Sequence, residues 1–230
     1  MRDDICTIPI SEVFEPKQGC PICRLRNMLE TRMVDYITGA AMMEPDVRQE
    51  TNRLGFCGRH LDQMLQKRNR LSVALTLDTH LKEINGELEQ IAQKGVGKNQ
   101  LPHLHGLLQS CFVCDKIAWG MERLLATVYR VWQQEADFRQ LYGEQECLCL
   151  PHYVQLMEGG QKEMHKKQFP AFAQATTALA QKYLGVLSAD VSHYCGMYDY
   201  RNAGGDWGNS KDSIERAVWF LTADRVGPQK

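Results

Sequence analysis

Eight side chains of metal-ligand type recur in one order along this chain. Cys20 and Cys23 are followed, after an interval of 33 residues, by Cys57 and His60. Cys111 and Cys114 are followed, after 34 residues, by Cys149 and His152. Each unit reads C-x₂-C, a helical span, then C-x₂-H, and the two units start 91 residues apart. Thiolate and imidazole are the donors zinc takes, and a C-x₂-C pair at a turn or helix start lets two sulfurs converge on one ion. Four such donors close a tetrahedron and leave no position for water, which is the pattern of structural zinc. An isolated C-x₂-C says little. Its repetition with a matching C-x₂-H points to two Cys₃His sites and two zinc ions.

The simplest grouping joins sequence neighbours: Cys20, Cys23, Cys57 and His60 in one site, Cys111, Cys114, Cys149 and His152 in the other. A crossed arrangement, joining the first C-x₂-C to the second C-x₂-H, is topologically possible too. Cys147 competes with Cys149, but Cys149-x₂-His152 reproduces the spacing of Cys57-x₂-His60. His103 and His105 are alternative donors near the second pair. His80, inside a helical pattern, reads as an ordinary satisfied or exposed histidine, and Cys6 lacks a partner motif. A dithiol redox motif wants an α/β setting, and no βαβ pattern is visible. An iron–sulfur cluster is the alternative cofactor, although the closely spaced cysteines of ferredoxins are missing.

The elements that must position these donors are helices. Leu25, Met28, Leu29, Met33, Tyr36, Ile37 and Ala40 form one apolar stripe after the first pair. Leu61, Met64, Leu65, Leu71, Leu75, Leu81, Ile84, Leu88 and Ile91 continue the theme beyond His60, and Ile117, Met121, Leu124, Leu125, Val128, Tyr129 and Trp132 repeat it after the second pair. A further helix is predicted over residues 166–187, and a short one from Asp212, whose side chain can cap it with Glu215 three residues on. No segment sustains period-2 alternation. The expected fold is all-α: duplicated helical units stapled by metal, packed as a bundle because each stripe must be buried against another helix. Residues 95–99 read as a linker. The implied division is 1–98 and 99–190 for the two metal-binding units, then 191–230 for a polar, aromatic segment and its short helix.

At 230 residues and 43% hydrophobic content the chain can build a core without disulfides. Nine cysteines with no apolar leader and no membrane-length apolar run point to a cytoplasmic metalloprotein rather than a disulfide framework. The formal charge of −1, from 27 basic and 28 acidic residues, gives no electrostatic footprint for nucleic acid. No membrane role is expected.

Several motifs taken together resemble an uncharacterised family of bacterial cytosolic proteins. They are Cys20-Pro21-Ile22-Cys23, Phe56-Cys57-Gly58-Arg59-His60, Cys149-Leu150-Pro151-His152 and Asp199-Tyr200-Arg201-Asn202, and the likeness runs from about residue 18 to residue 223. The resemblance implies no activity. The second pair, Cys111-Phe112-Val113-Cys114, lacks the proline of the first.

Signatures of nucleophile elbows, zinc proteases, P-loops and dinucleotide folds are absent. Gly95-Val96-Gly97-Lys98 follows a helix rather than a strand and lacks the Gly-Lys-Ser/Thr ending. The leading expectation is a non-catalytic or regulatory metalloprotein that binds a protein partner, with Tyr198, Tyr200, Arg201 and Trp207 as a docking surface. The alternative is a metal-dependent or iron–sulfur redox enzyme using the clustered cysteines or the His193, Cys195, Asp199 and Arg201 group.

Overall fold

Prolines open many of the helices of the computed structural model, which describes residues 7–224. Proline suits a first turn, where its missing N–H has no helical partner to lose. It begins α2 (Pro21–Thr38) and α3 (Pro45–Leu54), and stands in the first turn of α1 (Ile8–Phe14), α9 (Leu150–Glu163) and α10 (Phe169–Gly196). Between them lie α4 (Gly58–Gln66), α5 (Arg70–Lys94), α6 (Gln100–Gln109), α7 (Phe112–Gln134) and α8 (Ala136–Gly143), and α11 (Ser213–Thr222) follows. Among the described residues there is no strand. The fold is all-helical.

Two compact units divide the chain, and their boundaries fall inside α2 and α7. One comprises the residues up to Leu25 with those from Glu122 onward; the other is Arg26–Met121. This differs from the sequential division at 98 and 190. The 95–99 linker simply joins α5 to α6, which pack on each other within the second unit. The physical reason lies in helix length. An 18-residue helix rises about 27 Å and a 23-residue one about 35 Å, so α2 and α7 each carry the chain far from its own starting point.

The first unit is held by aromatic packing. Phe172 is fully buried, with ring centroids 5.3 Å from Trp132, 5.6 Å from Tyr142 and 5.7 Å from Tyr129. Phe14 lies 5.1 Å from Phe138, and the buried Tyr142 hydroxyl meets Thr176 Oγ1 at 2.9 Å. Helix α10 packs against α9 and α11. It runs past the predicted 166–187 limits and takes in His193, Tyr194 and Cys195. Asp212 stands before α11, but its carboxylate makes no cap; it accepts from Arg216 Nε at 2.9 Å instead.

In the second unit α3 packs on α5. Arg48 donates to the Leu75 carbonyl at 2.6 Å and Asn52 to Glu83 at 2.6 Å. The end of α2 is tied to the start of α5, for the Thr38 carbonyl accepts from Ser72 Oγ at 2.7 Å and Asn69 Nδ2 at 2.9 Å. The expected burial of the α4–α5 stripe is only partial: Leu65, Leu71, Leu81 and Leu88 are exposed. At 25 residues α5 outruns the ten-residue α3 and α6 beside it.

Candidate metal centres

All four half-sites are built alike, as the first turn of a helix. The carbonyls of Cys20, Cys57, Cys111 and Cys149 accept the first i+4 helical hydrogen bonds, from Arg24, Leu61, Asp115 and Tyr153. Each of these cysteines therefore sits at an N-cap, and its partner, three residues on, sits at N3. Cys57 and Cys149 have nearly the same backbone, φ −74°, ψ 159° and φ −73°, ψ 156°. A helix start suits a thiolate, since free N–H groups and the positive end of the dipole face it.

The half-sites meet across the repeats. Cys20, Cys23, Cys149 and His152 form one cluster and Cys57, His60, Cys111 and Cys114 the other, with the donor atoms of each within 4.8 Å of one another. This corrects the grouping by sequence neighbours. From Cys23 the chain leaves along α2 for about 22 Å, and the ten-residue α3 could bring it back by at most about 15 Å before Cys57. From Cys114 it leaves along α7 for about 30 Å, and α8 could bring it back by at most about 12 Å.

Short loops bring the halves together. In the first unit Gln145 Nε2 donates to the Phe14 carbonyl at 2.9 Å, Lys17 pairs with Glu144 at 2.6 Å, and the Gly19 N–H donates to Glu146 at 2.5 Å. These contacts fasten the 14–19 loop to the 144–146 loop just ahead of both half-sites. In the second unit the Phe112 N–H donates to the Gly55 carbonyl at 3.0 Å, and Ser110 Oγ to the Leu54 carbonyl at 2.7 Å. Gly55 adopts φ 59°, ψ −159°, which side chains disfavour, and a Cβ there would lie 3.3 Å from His80 Nε2.

In the first cluster His152 Nδ1 lies 3.1 Å from Cys149 Sγ, 3.3 Å from Cys23 Sγ and 3.7 Å from Cys20 Sγ. Cys149 Sγ lies 3.6 Å from Cys23 and 3.8 Å from Cys20. In the second, His60 Nδ1 lies 3.2 Å from both Cys57 and Cys111 and 3.5 Å from Cys114, and Cys57 to Cys114 is 4.0 Å. Zinc bonds of about 2.3 Å to sulfur and about 2.0–2.1 Å to nitrogen, set tetrahedrally, require about 3.8 Å between sulfurs and about 3.5 Å from sulfur to nitrogen. Both donor sets fit one tetrahedral ion.

Proton equilibria among the clustered thiols make the same point. Burial opposes the Cys111 thiolate, but the His60 contact and the N–H groups of Cys114 and Cys57 outweigh it and bring the thiol down to about 6. Burial, then the charge of Cys111, pushes Cys114 up to about 12. Burial likewise opposes the Cys20 thiolate, yet contacts to Cys149, Cys23 and His152 leave its pKa well lowered. The Cys149 and Cys20 contacts drive Cys23 upward, and contact with Cys20 pushes Cys149 up to about 12. Crowded thiols cannot all ionise without a cation to offset their charge.

Around the second cluster Glu30, on α2, accepts from His60 Nε2 at 3.0 Å and from Arg59 at 3.1 Å. Burial opposes the charge on Glu30, but His60 and Arg59 hold its pKa down at about 2. A carboxylate on the far nitrogen fixes the tautomer that presents Nδ1 to a metal. Sequence reasoning missed this residue, because a lone Glu on the polar side of a helical pattern carries no signal.

The other candidates fall outside the clusters. Cys147 is buried, with its thiol pushed up by burial and then by the charge of Cys20. His103 pairs with Glu87 at 2.8 Å, and His105 is exposed on the same helix. His80 Nδ1 is buried without a partner, and Cys6 lies outside the described residues. In the His193 group, His193 Nε2 lies 3.0 Å from the Asp206 carbonyl, and Arg201 is bound to Asp199 at 2.6 Å. A surface depression of about 530 Å³ is lined by His193, Met197, Arg201, Asn202 and Asp206, without Cys195. Tyr194, Tyr198 and Trp207 pack nearby in tilted and edge-on pairs with centroids 5.4–5.9 Å apart.

Fold and clusters define the class: an all-helical protein whose helix starts gather two tetrahedral Cys₃His donor sets. The chain belongs to the Family of unknown function (DUF6062), matched over residues 1–226. No curated protein and no solved structure matches it. No helix of the described residues is long and apolar enough to cross a membrane.

Proposed function

We propose that the protein is a non-catalytic, regulatory metalloprotein that holds two structural zinc ions and binds a protein partner. The observation that carries the metal reading is the spacing of the donors: sulfur–nitrogen 3.1–3.7 Å and sulfur–sulfur 3.6–4.0 Å in two independent clusters. An iron–sulfur cluster distributes its protein ligands over two or more irons and needs wider sulfur separations. A full set of four protein donors leaves no open position for substrate, which supports a structural role over a catalytic one. Partner binding is assigned to the 191–207 surface, where Tyr198 and Tyr200 are 72% and 86% exposed beside Arg201. A reducing compartment, the cytoplasm, keeps such thiols available as ligands.

The test is native mass spectrometry with elemental analysis on protein purified without chelators. Colourless protein with two zinc ions per chain is expected. Iron with labile sulfide, or metal-free protein of unchanged stability, contradicts the metal reading. Co-purification of a partner that is lost on replacing Tyr198 and Tyr200 by Ala supports the binding reading, and unchanged capture contradicts it.

A further inference from the structure

The two clusters differ in their access to solvent. All four donors of the first are buried; Cys149 is 0% and Cys20 1% exposed. In the second, Cys114 is exposed and Cys57 half-buried, while Cys111 and His60 are buried. Reactivity of a thiolate towards oxidants follows its exposure. The exposed Cys114 therefore has a resolving thiol at hand, since Cys57 Sγ lies 4.0 Å from its sulfur on a different helix start.

Taking both clusters as zinc sites, we infer that the second is an oxidant-releasable zinc site, with Cys114 the atom attacked by hydrogen peroxide and Cys57 the resolving thiolate. The Cys114 thiolate attacks one peroxide oxygen; the O–O bond breaks, leaving Cys114 sulfenic acid and hydroxide. The Cys57 thiolate then attacks the sulfenyl sulfur, forming the Cys57–Cys114 disulfide and expelling a second hydroxide. Two thiolates have lost two electrons to one peroxide. The sulfurs must close from 4.0 Å to about 2.05 Å, within reach of side-chain rotation and a small loop shift. Only Cys111 and His60 then remain as donors, too few to hold the ion. Cys111 is the less suitable resolving thiol, because it is buried whereas Cys57 is half-buried. The first cluster keeps its zinc, since its sulfurs are buried.

The experiment uses the full chain carrying Cys195→Ser, which removes an exposed thiol outside both clusters. Zinc is counted by native mass spectrometry before and after hydrogen peroxide, and disulfides are mapped by proteolysis. The expected result is two zinc ions at the start, then loss of one at least about tenfold faster than the other. A Cys57–Cys114 link should accompany that loss, and dithiothreitol with zinc should reverse it. Brief N-ethylmaleimide treatment of the holo-protein, which needs no ligand variant, should label Cys114 before any other ligand. Absence of zinc at the start sinks the metal reading itself. Two ions present but released together, release from the first cluster, a Cys111–Cys114 link, or retention of both ions sinks the redox assignment alone.

Discussion

A ligand is only as good as what holds it, and Glu30 shows this at the scale of one residue. Its carboxylate fixes the His60 ring from the side away from the sulfurs, at 3.0 Å, and binds Arg59 with its other oxygen. Glu30→Gln keeps the shape but removes the charge and turns one acceptor into a donor. Affinity for the second cluster's zinc should fall about 10–100-fold, read by chelator competition, with the first cluster unaffected. Equal affinity in the variant would reduce Glu30 to a bystander. Protons compete with the metal at the same cluster. Without metal, His60 is raised to about 10, since the Cys111 and Glu30 contacts outweigh burial, and Cys114 is raised to about 12. At neutral pH the metal-free cluster therefore binds more protons than the loaded one, so acid favours release and alkali retention. With at least two protons expelled, zinc affinity should drop at least about a hundredfold per pH unit lowered through the neutral range. A pH-independent affinity would contradict this assignment.

At the scale of elements, close approach decides matters that propensity does not. Gly159 lies mid-helix in α9, where alanine is intrinsically better by about 1 kcal/mol. A Cβ there would collide with the buried Tyr129 hydroxyl, and one on Gly160 would lie 3.0 Å from Phe172. Gly159→Ala should therefore destabilise the protein by about 1–3 kcal/mol in urea denaturation, against its helix propensity. A stabilised variant would mean that Tyr129 moves freely. This tight contact was invisible in the sequence, because it depends on Tyr129 from α7 packing against α9. What the sequence did disclose was the eight donors and the helical class, because ligand spacing and apolar period are local properties. The partner of each half-site stayed hidden. C-x₂-C and C-x₂-H halves are chemically interchangeable, and which halves meet depends on how far α2 and α7 carry the chain and on loop contacts such as Gln145 to Phe14 and Phe112 to Gly55. Helix α10 extends past the expected end at 187 because His193, Tyr194 and Cys195 continue a helix that apolar period alone does not follow.

For the whole molecule, the crossed pairing makes the chain a nested design. The cluster of Cys57, His60, Cys111 and Cys114 lies in sequence entirely between the two halves of the other. Each cluster belongs to one compact unit, so the units should be separable in stability although their sequences interleave. Cys57→Ala should lose one zinc, and amide exchange should rise through α3, α4 and α6 while α8, α9 and α10 stay protected. Cys149→Ala should lose the other ion and raise exchange in α1, α8 and α9, leaving α3 to α6 as they were. Opening a closed tetrahedron leaves crowded thiols without their compensating cation, so the loss of protection should reach well beyond the altered residue. Cys147→Ala should keep both ions, since Cys147 stands outside the donor set. Hydrogen exchange with mass spectrometry on this variant set reads the pairing directly. If Cys57→Ala deprotected α8 and α9, or if either ligand variant shed both ions, the two units would share one cooperative transition and the nesting would be of sequence only.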